Sequence, residues 1–126
     1  YDAARQNLVV AHNRAAVELG GRGLFDRAAA HLEEALRLDP RNAEAHLNLG
    51  TTRSRQGRHE EARREYEAAV ALDPGSAHAH LNLAVSLFRL GRYHEAWAQV
   101  TACRNAGGRP PDAFVRALAE KSTPPR

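Results

Sequence analysis

The sequence predicts an all-α fold, an α-solenoid of stacked antiparallel helix hairpins, and three observations carry that prediction. Small residues recur at a step of 34: Gly23, Gly57 and Gly91 share one register, and Ala28, Ala62 and Ala96 share another. The segments between them place apolar and small residues at i, i+3, i+4 and i+7, the spacing of one helix face. Two of the segments close on the same triplet, Leu38-Asp39-Pro40 and Leu72-Asp73-Pro74, where Pro cannot continue a helical ladder. A two-helix unit of this length cannot bury its apolar face alone, so such units must stack.

Unit one spans about residues 9–42. Its first helix carries His12, Ala15, Ala16 and Leu19 on one stripe; Gly20-Gly21-Arg22-Gly23 reads as the turn, and Ala28, Leu32, Ala35 and Leu36 mark the second helix. Unit two, about 43–76, opens behind Asn42, a good N-cap. It repeats the pattern with His46, Leu49, Gly50 and Arg53, a turn at Gly57, then Ala62, Tyr66, Ala69 and Val70. Unit three, about 77–110, opens behind Ser76 with His80, Leu83, Ala84 and Leu87, turns at Gly91 and continues through Ala96 and Val100. It ends differently, on Asn105-Ala106-Gly107-Gly108-Arg109-Pro110-Pro111. A further helix over about 112–121, with Ala113, Phe114, Ala117 and Leu118 on one face, has the character of a cap that covers the last apolar surface. Residues 122–126 form a tail.

Small residues alternate with large ones for a packing reason. Gly50, Ala84 and the repeated alanines let helix axes approach to about 8–10 Å. Leu32, Tyr66 and Val100 then fill the space between hairpins. Cys103 falls where the other units have Ala35 and Ala69 and is expected to be a buried spacer. Trp97 is expected to pack against the cap, near Phe114.

The bulk numbers exclude several classes. A chain of 126 residues, 43% apolar and 26% charged, suits one globular domain and not a disordered segment. No apolar run approaches the length of a membrane span. The net charge of +3 comes almost entirely from arginine, Lys121 being the one lysine. Acidic residues interleave with the basic ones, most visibly over 58–67, which is a solvated helix face and not a nucleic-acid stripe. Cys103 stands alone, so neither an intrachain disulfide nor a cysteine zinc site is available. No secretory leader is seen, which favours the cytoplasm; the start at Tyr1 and the absence of Met read as a piece of a longer protein.

These residues resemble the tetratricopeptide repeat family. The family's small residue, turn Gly, Ala, large apolar or aromatic residue, Ala and closing Pro are present as Gly50-Gly57-Ala62-Tyr66-Ala69-Pro74, and the likeness extends over about 9–110. It implies a right-handed superhelix whose first helices line a concave groove, and it implies binding of another polypeptide. The groove face is Val10, Arg14, Val17 and Gly21 in unit one, Glu44, Asn48, Thr51 and Arg55 in unit two, and His78, Asn82, Val85 and Arg89 in unit three. Asn48 and Asn82 recur, as do Arg55 and Arg89.

An asparagine amide both donates and accepts, so a row of them can hold an extended peptide by its backbone. Asn48-Leu49-Gly50 and Asn82-Leu83-Ala84 resemble the asparagine ladder in the repeat region of O-linked N-acetylglucosamine transferases, with Arg14 replacing the rung in unit one. The arginines favour acidic side chains or a C-terminal carboxylate. The expected peptide site is therefore Asn48, Asn82, Arg14, Arg55, Arg89, Thr51, Glu44 and His78. The carboxylate clamp of chaperone-binding relatives is not matched: Asn48 fits, but the first-unit Lys is missing and the third-unit basic positions hold His78 and Asn82.

The histidines His12, His46 and His80 share the period and invite a metal reading. Successive units hold them too far apart for zinc–imidazole bonds of about 2.0–2.1 Å, so they are expected to pack against the paired helix. No catalytic constellation, phosphate loop or cofactor site is read. The expected role is a scaffold or adaptor. Alternatives are self-assembly through an apolar end at Tyr1, Leu8 and Val9, or the substrate-recruiting arm of a larger enzyme.

Overall fold

A computed structural model of the chain describes residues 2–126; Tyr1, part of the expected apolar end, lies outside the described residues. Among them are seven helices and no strand: α1 (Asp2–Gly21), α2 (Phe25–Leu38), α3 (Ala43–Arg55), α4 (His59–Leu72), α5 (Ala77–Arg89), α6 (Tyr93–Asn105) and α7 (Asp112–Lys121). Helices α1/α2, α3/α4 and α5/α6 pair as hairpins, α2 packs on α3 and α4 on α5, and α7 closes on α6. Contacts of α1 with α3 and of α3 with α5 align the first helices along one side. The chain is an α-solenoid of three repeats and a capping helix.

The helix ends follow from local chemistry. Asn42 Oδ1 accepts the Ala45 N–H at 2.8 Å and Ser76 Oγ accepts that of Ala79 at 3.1 Å, which starts α3 and α5. At the equivalent position α1 has Leu8, which offers no acceptor, and the helix runs back to Asp2. The turn glycines Gly23, Gly57 and Gly91 adopt left-handed φ of 77°, 79° and 76°. There the Gly57 N–H reaches Ser54 O at 3.0 Å and the next, Arg58 N–H, reaches Arg53 O at 2.8 Å; the other two turns repeat the pair. These bonds satisfy the last carbonyls of the helix and require the glycine backbone. Gly107, with φ of 89°, ends α6 in the same way, so the variant close of unit three exchanges a proline stop for a glycine stop.

One expectation is corrected here. Gly20 and Gly21 are not part of a loose turn but belong to the last turn of α1, and the connection is only residues 22–24.

The core divides along the solenoid axis into two clusters. One joins Val9, Ala16, Leu19, Leu32 and Leu49 around the alanines of α2. The other joins Tyr66, Leu83, Leu87, Trp97, Val100 and Leu118. Gly50 shows why a small residue is needed between them: a Cβ there would lie 2.6 Å from the Tyr66 ring. Cys103 is 1% exposed, its Sγ pressed under Gly108, and serves as a spacer. Trp97 packs against the cap through Leu118, and its indole N–H donates to Ser122 O at 3.2 Å. Phe114 packs against the same cluster and meets Phe88 edge-on, with ring centroids 5.6 Å apart. On α7 the packed face includes Val115, whereas Ala113 is exposed. Val9 is fully buried and so is unavailable as an apolar end, while Leu8 is 52% exposed.

Candidate functional site

The first helices present a groove face in which Arg14, Glu44, Thr51, Arg55, His78 and Arg89 are exposed and Asn48, Asn82 and Val85 are half-buried. A cavity of about 400 Å³ opens between α1, α2, α3 and α5. Of the expected site residues it brings together Asn48, Thr51, Arg55 and His78; Arg14, Glu44, Asn82 and Arg89 lie outside its lining. Val17 and Gly21 of the expected groove face also line it, together with Gly20, Phe25 and Leu32, which were not expected there.

The two repeat-equivalent asparagines are held differently. Asn48 donates to Asn13 Oδ1 at 3.3 Å, and Asn13 donates in turn to Asn42 Oδ1 at 3.2 Å, the same oxygen that caps α3. Asn13 is 3% exposed and sits where the later repeats carry Leu47 and Leu81. Sequence reasoning passed over it, although a polar residue at a position leucine fills twice was the available signal. Asn82 instead lies 3.3 Å from His78 Nε2, one turn earlier on its own helix. One amide hydrogen and the carbonyl of each asparagine remain for a ligand.

Thr51 is already engaged. Its Oγ1 accepts the Tyr66 hydroxyl at 3.1 Å and donates to Leu47 O at 3.2 Å. Burial pushes the Tyr66 phenol up from its ordinary range, while the Thr51 bond and the positive charges of Arg89 and Arg55 pull it back.

Most of the ion pairs lie on or beside the second helices. Arg37 pairs with Glu34, Arg58 with Glu61, Arg63 with Glu60 and Glu67, and Arg92 with Glu95, all on or beside the second helices. Arg53 bridges Glu33 at 3.5 Å and Glu61 at 3.8 Å, linking α2 to α4. Among the described residues, Arg14, Arg55 and Arg89 have no carboxylate at ion-pair distance.

The periodic histidines each bond the residue 19 positions later on the paired helix. His46 Nδ1 meets Glu65 Oε1 at 3.2 Å, His80 Nδ1 meets Gln99 Oε1 at 2.7 Å, and His12 Nδ1 lies 2.9 Å from His31 Nδ1. His46 Nε2 and His80 Nε2 also reach the carbonyls of Pro40 and Pro74, at 3.0 and 2.7 Å. They tie each repeat to the proline that closes the one before it. The hydrogen bond to Glu65 raises the His46 pKa above its ordinary value, against the opposing effect of burial.

Sequence models described as tetratricopeptide repeat match residues 47–110 and 21–65. No curated protein matches the chain. The fold is similar to the tetratricopeptide domain of Sgt2 from Aspergillus fumigatus, with a TM-score of 0.81 and 24% identity over 90% of this chain and 76% of that one. It is similar also to the second tetratricopeptide domain of Spaghetti (RPAP3) bound to the HSP90 peptide SRMEEVD, with a TM-score of 0.77 and 20% identity over 82% of this chain and 98% of that one. A mutant O-GlcNAc transferase of Thermobaculum terrenum gives a TM-score of 0.85 at 24% identity; 94% of this chain is covered, and it spans 23% of the enzyme. No described helix is long and apolar enough to cross a membrane.

Proposed function

The chain belongs to the tetratricopeptide repeat family, and from that premise we propose that its concave groove binds an extended acidic segment of a partner protein, as an adaptor and not as an enzyme. The observation that carries the reading is the set of exposed, unpaired arginines on the groove face. Arg14, Arg55 and Arg89 are exposed on the groove side and, among the described residues, have no carboxylate at ion-pair distance, which leaves them to an outside one. Arginine matches a carboxylate with a bidentate fork, and the half-buried amides of Asn48 and Asn82 can take peptide groups between such anchors. A similar fold holds an acidic-ended peptide, SRMEEVD. The chain's own departures from the chaperone clamp, above all the missing first-unit lysine, argue for a different acidic ligand. In a longer polypeptide the same groove would recruit substrates to a catalytic domain. Self-association retains one supporting observation, the exposed Leu8, and would appear as a concentration-dependent mass in light scattering.

The test is fluorescence anisotropy with labelled Asp/Glu-rich and Lys-rich peptides. The acidic probes are expected to bind, and Arg55→Gln with Arg89→Gln to weaken them by about tenfold and flatten their salt dependence. Equal affinity for both peptide charges would sink the proposal. Asn82→Ala should weaken binding with the melting temperature unchanged. Asn48→Ala should do so at a stability loss of about 1 kcal/mol, because it strips a partner from buried Asn13. The sequence pattern alone would have expected both replacements to be thermally silent.

A further inference from the structure

Gly20 and Gly21 occupy helical positions that make no demand for glycine. Neither has left-handed φ, and both lie in the last turn of α1. A Cβ built on either meets nothing within 4 Å, so no neighbour needs the space. Glycine weakens a helix because it surrenders more backbone freedom on folding than any other residue. Two in succession therefore act against the stability of α1. The same positions carry Ser54 and Arg55 in α3, and Phe88 and Arg89 in α5.

The two missing side chains open the groove cavity. Its apolar lining includes Phe25, Leu32 and the exposed Val17, its polar lining includes Asn48, Arg55 and His78, and no carboxylate lines it. Among the described residues three large apolar side chains are notably exposed, and two of them, Val10 at 45% and Val17 at 61%, lie on this groove face of α1. An apolar hollow with a few convergent polar groups is the usual composition of a site that seats one side chain or small ligand. The unpaired Arg55 fixes the charge of what lies beside it.

We propose that this cavity is a specificity pocket: a bulky apolar residue of an acidic peptide seats beside Gly20 and Gly21, with an adjacent peptide carboxylate on Arg55. This rests on the groove reading above and adds the apolar residue that the ligand must carry. Glycine at these two positions is kept for access, at the expense of the helix. Only unit one carries glycine at both positions, so the pocket also sets which end of the groove the apolar residue occupies.

The probes are fluorescein-labelled peptides of Asp, Glu and Gly around one central residue, either Leu, Phe, Ala or Ser. With the unmodified chain, the Leu and Phe peptides are expected to bind about tenfold more tightly than the Ala peptide. Gly20→Leu, which supplies the side chain from the protein, should erase that preference, bringing the Leu and Phe peptides down to the affinity of the Ala peptide. Gly20→Ala should melt no lower than the unmodified chain; a lower melting temperature would assign the glycine to packing and overturn the proposal. Central-residue indifference, with all four peptides weakened by Arg55→Gln, would overturn the pocket and leave the acidic groove standing. Failure of every acidic peptide to bind would remove both.

Discussion

His46 has acceptors at both ring nitrogens, the Glu65 carboxylate at Nδ1 and the Pro40 carbonyl at Nε2. Neither can donate, so the arrangement is fully satisfied only when the ring carries two protons. The raised pKa follows, led by the Glu65 bond. A group whose pKa rises on folding stabilises the fold below its unfolded value, about 6.5, and loses that contribution as pH climbs through the folded value. The melting-temperature gap between the unmodified chain and Glu65→Gln should therefore be wide near pH 6 and narrow toward about pH 9. A gap that does not change with pH would show the pair to be neutral packing. His80, with Gln99 in place of the carboxylate, offers an internal contrast.

At the scale of helix pairs, the repeat works by matching a small residue to a large one. Gly50 faces Tyr66, whose ring would overlap any Cβ, while Ala84 occupies the same position in α5, the repeat that carries Val100 in place of Tyr66. The exchange is reciprocal: a bulkier second-helix residue requires a smaller first-helix residue. Gly50→Ala should cost about 1–3 kcal/mol through overpacking, even though alanine is the better helix former. Gly50→Ala with Tyr66→Val should recover part of the loss, which a denaturation double-mutant cycle would read. Strict additivity would count against the reciprocal fit. The ring also holds Thr51, so the same contact that fixes two helices orders part of the groove rim.

For the whole molecule, the two core clusters mean that stability is passed from hairpin to hairpin, as in any quasi-one-dimensional stack. The C-terminal end is covered by α7, which inserts Leu118, 0% exposed, beside Trp97. Leu118→Ala should cost about 2–4 kcal/mol. Its effect should be graded along the axis: amide exchange in α5 and α6 should accelerate more than in α1 and α2. Uniform acceleration would instead show that the stack unfolds as one unit. Among the described residues, ion pairs are most numerous along the second helices, which also carry the unpaired Arg27, Arg64 and Arg104.

The helices, their order, the repeat and the caps at Asn42 and Ser76 were legible in the sequence, because they depend on spacing and on residues within a turn of one another. The face bearing Asn48, Asn82, Arg55 and Arg89 was legible for the same reason. What each of those residues does was decided only when the repeats came together. The Asn48–Asn13 bond, the capture of Thr51 by Tyr66 and, among the described residues, the lack of a carboxylate at ion-pair distance from Arg55 and Arg89 all depend on residues from different helices. Gly20 and Gly21 show the division most clearly. Local rules read them as a turn, but α1 continues through them, and the cavity they leave exists only between α1 and the helices stacked against it. Periodicity reports which face a residue occupies; distances between chemical groups across that face belong to the tertiary packing.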